Sequence, residues 1–271
     1  MKTLQLNNGT KMPALGLGTS QLRGEVCTRS VLEALYIGYR HIDTAEMYGN
    51  HEAIASALKR SSIPRQELFL TTKVPPSALG RETLTKSCER YLKELSIDYI
   101  DLLLIHWPNR NIPVEETLGA MEELKKSGKI RSIGVSNFTA HHLEDTLATG
   151  INIATNQVEL HPTFSQQALQ KFCNNKKIVL TAYAPLGRGA DLELPLLREL
   201  AAKYNVSVPQ VVLNWIIGRG IAAIPKSSSR GHLEDNFNTL KWKMEKEDVA
   251  RIDALPQEER IFNPSFNEFD Y

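Results

Sequence analysis

Cysteine is scarce in this chain. Cys27, Cys88 and Cys173 are the only three in 271 residues, and no two form a CxxC pair. A scattered, odd-numbered set gives no disulfide framework and fits a reducing compartment. HExxH and Cys/His ligand clusters are also missing, so no catalytic metal is expected. Neither sign of charge is in excess: a formal net charge of +1 gives no reason to expect nucleic acid or a membrane surface as a partner. The opening MKTLQLNNGTKMPALGLGTS has no sustained apolar run. Neither a signal peptide nor a membrane span is expected, and the protein is expected to be cytoplasmic. The Gly-rich GxGxxG turn of an open dinucleotide-binding sheet is missing too, because GLGTSQL carries only its first two glycines.

What is present is one recurring unit, a helical stretch followed by a short apolar run that ends on a polar residue. Residues 3–12 form a hairpin signal around Asn7-Asn8-Gly9. Strands are expected at 15–20, 41–43, 68–73, 99–105, 130–135, 153–156, 178–182 and 221–224. Helices are expected at 25–37, 52–60, 81–95, 114–127, 139–149, 165–177, 194–204 and 208–218. Strict alternation with nearly continuous apolar strands implies a parallel sheet covered by helices. Eight units over 271 residues predict an α/β fold, a single (β/α)8 TIM barrel spanning residues 1–271. It carries an N-terminal β-hairpin and a short C-terminal tail. Residues 262–271 read as an extended tail or a flap over one barrel face.

The strand ends carry Asp43, Lys73, His106, Ser136, Asn137, Gln157, Tyr183 and Lys226. In a barrel these ends share one mouth, so residues distant in sequence become neighbours. Tyr48 follows Asp43 by five residues in the stretch GYRHIDTAEMYGN. A phenol beside an ammonium is drawn toward its ionised form, which suits Tyr48 to proton transfer with Lys73 at its side. Asp43 holds Lys73 charged, and His106 can bond a substrate oxygen. Such a set suits polarising and protonating a carbonyl while a cofactor supplies hydride. Other readings remain open at each position. Asp43 fits a helix N-cap and Tyr48 a half-buried loop aromatic. Lys73 fits a solvated or a Schiff-base lysine, and His106 a packed histidine before a turn. His161 reads as structural, and the His141–His142 pair as solvent-facing.

Over essentially its whole length the chain resembles an aldo-keto reductase. GYRHIDTAEMYGN is similar to that family's first signature, MEELKKSGKIRSIGVSNF to the second and the stretch at Ile224-Pro225-Lys226-Ser227 to the third. The resemblance makes Asp43, Tyr48, Lys73 and His106 the catalytic tetrad, with Tyr48 as the general acid. It also implies NADPH, with NADH as a second cofactor. Ser136, Asn137 and Gln157 hold the carboxamide, Tyr183 stacks on the nicotinamide, and Thr19, Ser20 and Asp43 flank that end. The loop through Pro185 and Leu186 folds over the pyrophosphate. Lys226, Ser227 and His232 lie at the 2′-phosphate, with Asp235 and Asn236 near the adenine. The segment from Lys226 to Asn236 also reads as a sugar-phosphate site or a capped helix.

Four departures from the family pattern stand out. His232 occupies a position where arginine is usual, which predicts weaker selectivity for NADPH, with Arg230 or Arg188 as a compensating cation. Asp235 replaces a glutamate, Ser20 replaces a frequent tryptophan, and His51 follows Asn50 where glutamate is usual. Trp107 is expected to line the substrate pocket beside Tyr48 and His106, with Leu22 and Met47 as lesser candidates. The short tail is similar to that of bacterial 2,5-diketo-D-gluconate and methylglyoxal reductases. A short tail covers less of the pocket, which implies broad specificity for small aldehydes, dicarbonyls or keto-sugars, and a monomer is expected. The rival is a cofactor-binding regulatory subunit on the same fold, similar to channel β subunits, but the tetrad here is complete.

Overall fold

The computed structural model describes residues 2–271. Its first two strands, β1 (Thr3–Gln5) and β2 (Lys11–Pro13), form the expected antiparallel hairpin. The next eight are β3 (Leu17–Gly18), β4 (His41–Asp43), β5 (Phe69–Val74), β6 (Ile100–Ile105), β7 (Ile130–Ser136), β8 (Thr155–Glu159), β9 (Val179–Tyr183) and β10 (Ala222–Ala223). They pair in parallel, each with its neighbour in sequence, into one eight-stranded sheet. The sheet is curled, and backbone hydrogen bonds run between the segments at its two edges. Gly16 N–H donates to Ala223 O at 2.9 Å, Ala223 N–H to Ala14 O at 2.9 Å and Gly18 N–H to Pro225 O at 3.1 Å. Only glycine allows this approach, since a Cβ on Gly18 would lie 2.6 Å from the Ile224 carbonyl oxygen.

The helices are α1 (Gly24–Ile37), α2 (His51–Ser61), α3 (Arg81–Leu95), α4 (Val114–Lys126), α5 (Ala140–Ala148), α6 (Gln167–Asn175), α7 (Pro195–Tyr204), α8 (Val208–Gly218), α9 (Arg230–Asn238) and α10 (Lys246–Asp253). Their apolar residues recur at helical spacing, as with Leu84, Cys88, Tyr91 and Leu95 of α3, and face the outside of the sheet. The strands are therefore buried on both faces. Leu103 and Ile105 of β6 join the helix-facing core, while Leu102 and Leu104 pack with Phe69, Ala154 and the hairpin residues Leu6 and Met12. The hairpin thus plugs the end of the curl away from the strand C-termini.

Several elements differ from the sequence-based expectation: β3 is Leu17–Gly18 where 15–20 was expected, α6 is Gln167–Asn175 where 165–177 was expected, and α9 forms at Arg230–Asn238, where a capped helix was only one of the readings. The strand expected at 153–156 forms at Thr155–Glu159, after Ile153 O accepts from the Asn7 side chain. Helix α10 was not expected, because it buries only Asp248 and Ile252 and lacks a broad apolar face. The pair His141–His142 also splits. His142 is buried, caps α5 through Thr139 and contacts Glu268 at 3.2 Å, while exposed His141 stacks on Tyr271.

The tail lies across the mouth of the curl. Phe262 meets Tyr183, and Phe266 and Phe269 meet Trp107, all edge-on. One buried imidazole anchors both this tail and the loop before α7. His161 Nδ1 lies 2.9 Å from Asp191 Oδ2, and Nε2 lies 3.2 Å from Glu159 Oε1. Glu159 also accepts the N–H groups of Ile261 at 2.6 Å and Phe262 at 2.8 Å. Burial opposes a charge on His161, but hydrogen bonds to Asp191 and Glu159 outweigh it and push the ring up to about 9.

Two outcomes follow for stability. A Cβ at Gly134 would meet Thr155 Oγ1 at 2.5 Å and Leu104 Cδ2 at 2.6 Å. Gly134→Ala is expected to cost about 1–3 kcal/mol, read from urea unfolding curves. The raised value of His161 means that its contribution is complete below its ordinary range and is lost as pH climbs through about 9. The melting-temperature gap between wild type and His161→Gln should therefore be widest near pH 6 and narrow as pH rises from 6.5 to about 9. A gap that widens with pH would reverse the assignment of charge.

Candidate active site

Strand register decides which side chains can meet. Asp43 pairs with Thr71, Lys73 with Leu104, Leu104 with Gly134, Gly134 with Thr155 and Ser136 with Gln157. Residues paired this way share a face, and so do residues two apart on one strand. Leu104 lies inside the curl, so Asp43, Lys73, Ser136, Gln157 and Tyr183 point inward as well. Thr72, between Thr71 and Lys73, points outward to the helices.

Lys73 is 0% exposed, and each of its three protons has an acceptor. Nζ lies 2.5 Å from Asp43 Oδ1, 2.8 Å from Thr44 O and 3.4 Å from Tyr48 Oη. The other Asp43 oxygen accepts from Gln157 Nε2 at 2.7 Å. Burial works against the ammonium, yet the Asp43 carboxylate and then Tyr48 outweigh it and hold Lys73 above its ordinary value. Tyr48 sits on a short 3₁₀ turn, Glu46–Tyr48, which Gly49 closes in the left-handed region at φ 60°. Its hydroxyl reaches inward while its ring meets His106 edge-on at 5.8 Å. His106 is held well below its ordinary value, first by burial and then by Lys73, so its imidazole is neutral. Its Nδ1 has no protein partner among the described residues. The four expected tetrad residues are thus brought together.

A cavity of about 770 Å³ opens beside this cluster. Asp43, Tyr48, His106, Trp107, Ser136, Asn137, Gln157 and Tyr183 line its deep end, with Thr19 and Ser20 beside them. Asn137 is strained into the left-handed region at φ 64°. It is fixed there by donation from Tyr183 Oη to its Oδ1 at 2.8 Å and by its own Nδ2 donating to His106 O at 3.0 Å. Ser136 Oγ donates to Gln157 O at 2.8 Å, and Thr19 Oγ1 to Asp43 O at 2.9 Å. Pro185, Leu186 and Lys226 line the other end. Two side-chain amides and a hydroxyl beside a fixed aromatic ring match the donors and acceptors of a nicotinamide carboxamide.

The far set is placed differently. Ser227, His232, Asp235 and Asn236 do not line the cavity. Ser227 Oγ accepts from Ser229 N–H at 3.1 Å, and His232 is exposed in the first turn of α9, which Ser229 caps. Asp235 accepts from Ser207 Oγ at 2.5 Å and Gln210 Nε2 at 2.6 Å, which fastens α9 to α8. Asn236 is buried. Of the compensating cations, Arg230 is paired to Glu33 at 2.5 Å and Glu234 at 2.8 Å, whereas Arg188 lines the cavity and lies over Phe262. Met47 lines the cavity, but Leu22 is buried away from it. Sequence reasoning missed Gln21, Leu192 and Phe262 as lining residues. The aromatic content of the tail was the only signal for Phe262. Among the described residues no group of acids, histidines and cysteines could hold a metal, and no helix is long and apolar enough to cross a membrane.

Comparison with known proteins agrees with this geometry. Residues 14–257 match the model of the aldo/keto reductase family. The glyoxal reductase of Bacillus subtilis is 42% identical over 261 residues, which cover 96% of this chain and 94% of that protein. The methylglyoxal reductase DkgB of Escherichia coli O157:H7 is 40% identical over 93% of this chain and 96% of its own length. A crystal structure of an aldo-keto reductase from Bombyx mori in complex with NADP superposes with a TM-score of 0.91 at 32% identity, covering 97% of this chain and 95% of that one. A family match over nearly the whole sequence, joined to the gathering of Asp43, Tyr48, Lys73 and His106 beside one cavity, means that the chain belongs to the aldo/keto reductase family, an oxidoreductase that reduces carbonyls to alcohols.

Proposed function

We propose that this enzyme reduces small aldehydes and dicarbonyls at the deep end of the cavity, with Tyr48 as the proton donor and NADPH as its cofactor. The scaffold is read as one domain, a closed (β/α)8 barrel, on the strength of the joined sheet edges. The observation that carries the proposal is the Lys73 ammonium. All its protons are committed, and one of them points at the Tyr48 hydroxyl that faces the cavity.

A reduced nicotinamide, when bound, supplies the hydride. Ser136, Asn137 and Gln157 would hold its carboxamide, and Tyr183 would cover one face of its ring. Lys226 would take a phosphate at the far end. The substrate carbonyl oxygen would sit between Tyr48 Oη and the His106 ring. Neutral His106 can donate one hydrogen bond there without competing for the proton. As negative charge grows on that oxygen, Tyr48 gives up its proton. Lys73 stabilises the phenolate left behind, and Asp43 keeps Lys73 in place. Trp107, Met47 and Phe262 present an apolar rim, and Ser20 leaves one side of it open. Such a mouth admits compact carbonyls of several shapes. Dicarbonyls are favoured as substrates because the similar proteins are named for glyoxal and methylglyoxal.

The test follows loss of reduced-nicotinamide absorbance with methylglyoxal, an aromatic aldehyde and a keto-sugar acid, using NADPH and NADH. Tyr48→Phe should lower kcat by about 10²–10⁴-fold while cofactor affinity stays within about twofold. Turnover that survives the substitution would remove Tyr48 from the role of acid. Cofactor preference provides a second test. With Arg230 paired elsewhere, His232 faces solvent where a phosphate fork is usual, so selectivity for the 2′-phosphate is weak. His232→Arg should raise the NADPH-to-NADH affinity ratio about tenfold in fluorescence titrations at pH 7. An unchanged ratio would place the phosphate elsewhere.

A further inference from the structure

The turn that carries Tyr48 has no apolar anchor of its own, since none of Glu46, Met47 and Tyr48 is buried. Polar contacts hold it at both ends. Upstream, Glu46 accepts from the Tyr91 hydroxyl and pairs with Arg90 at 2.8 Å, both on α3. Downstream, Asn50 donates to the carbonyls of Thr19 and Leu22, each at 3.0 Å, and accepts from Thr44 Oγ1 at 2.6 Å. The next residue is His51, which departs from the glutamate usual at this position.

His51 is only 4% exposed. Its Nδ1 lies 2.7 Å from Glu94 Oε2 on α3, and its Nε2 lies 2.9 Å from Thr72 Oγ1 on β5. Its ring meets Tyr91 edge-on at 5.2 Å, so it also touches the residue that holds Glu46. A nitrogen facing a carboxylate is the protonated one, which leaves Nε2 to accept the Thr72 hydroxyl proton. Burial lowers His51 from its ordinary value, although Glu94 resists, and this agrees with a neutral ring. Thr72 points outward from β5, and its chain neighbour Lys73 points inward. One imidazole therefore joins the chain just past Tyr48 to the residue just before Lys73.

We propose that His51 is a positioning residue that fixes the approach of Tyr48 to Lys73, acting through Thr72 and Glu94 rather than by touching substrate or cofactor. This rests on the reading of Tyr48 as the proton donor. The Lys73–Tyr48 contact is the long one of the three that Lys73 makes, at 3.4 Å, so it is the one that movement of the turn would lengthen. A glutamate at position 51 would set its carboxylate against Glu94. The imidazole instead donates to that carboxylate and still reaches β5.

The experiment compares wild type, His51→Leu, His51→Gln and Thr72→Val, with Tyr48→Phe as reference. kcat, KM, cofactor affinity by fluorescence and the single-turnover rate of NADPH oxidation are measured for each. Leucine fills the site without either hydrogen bond. It should lower kcat and the single-turnover rate about tenfold, with KM and cofactor affinity within about twofold. Glutamine can donate to Glu94 and accept from Thr72 at once, and it should recover most of that loss. Thr72→Val, which keeps the volume, should lower the single-turnover rate about threefold. The proposal is overturned if leucine leaves the single-turnover rate unchanged, or if glutamine falls as far as leucine. A loss that lies wholly in cofactor affinity would overturn it too. If His51→Leu does not fold, Thr72→Val decides alone, and an unchanged rate there refutes the proposal. Should Tyr48→Phe itself retain turnover, the reading of the acid fails instead, so the two failures are told apart.

Discussion

A fully buried ammonium has to be satisfied completely or not kept at all. Lys73 meets that constraint with three acceptors for three protons, one of them a carboxylate whose second oxygen is itself held by Gln157. A buried pair of this kind is a poor source of net stability, because desolvation of both ions offsets their attraction. Its presence is better explained by chemistry: it leaves a positive charge, at fixed position, behind a phenol that faces a cavity. The same geometry argues against Lys73 as a Schiff-base nucleophile. An amine needs a free lone pair for attack, and this one is locked in its protonated form.

The parallel register turns that local arrangement into a site. Side chains that match across neighbouring strands share one face, so Asp43, Lys73, Ser136, Gln157 and Tyr183 converge without any long loop to carry them. The interior is stratified along the strands. Leu6 and Met12 from the hairpin close one end with Phe69, Leu102 and Leu104, and polar groups occupy the other end. Between them His41, held neutral by burial at about 4, spans Thr71 and the Pro13 carbonyl and so joins the hairpin to the sheet.

The eight-stranded parallel sheet, its hairpin and the convergence of Asp43, Tyr48, Lys73 and His106 could be read from the chain because each leaves a periodic or chemical trace. Apolar runs repeatedly end on a polar residue, and Asn-Gly marks the hairpin turn. What could not be read depends on partners distant in sequence. His51 and His142 look like surface histidines at helix starts, yet Glu94 and Glu268, 43 and 126 residues away, bury and bind them. Asp235 carries the right chemistry for a ligand, but Ser207 and Gln210 claim both of its oxygens. The direction of a side chain at a helix end is set by tertiary contacts, and no local pattern reports it.

The cluster of Glu159, His161 and Asp191 links two walls of the cavity. Asp191 belongs to the loop whose Arg188, Gly189 and Leu192 line the cavity, while Glu159 grips the backbone where the tail begins its path to Phe262 and Trp107. Substitutions in these two segments should therefore be epistatic. A change in the tail would be felt in the loop, and a change in the loop would be felt in the tail, through the one imidazole that bonds Glu159 and Asp191.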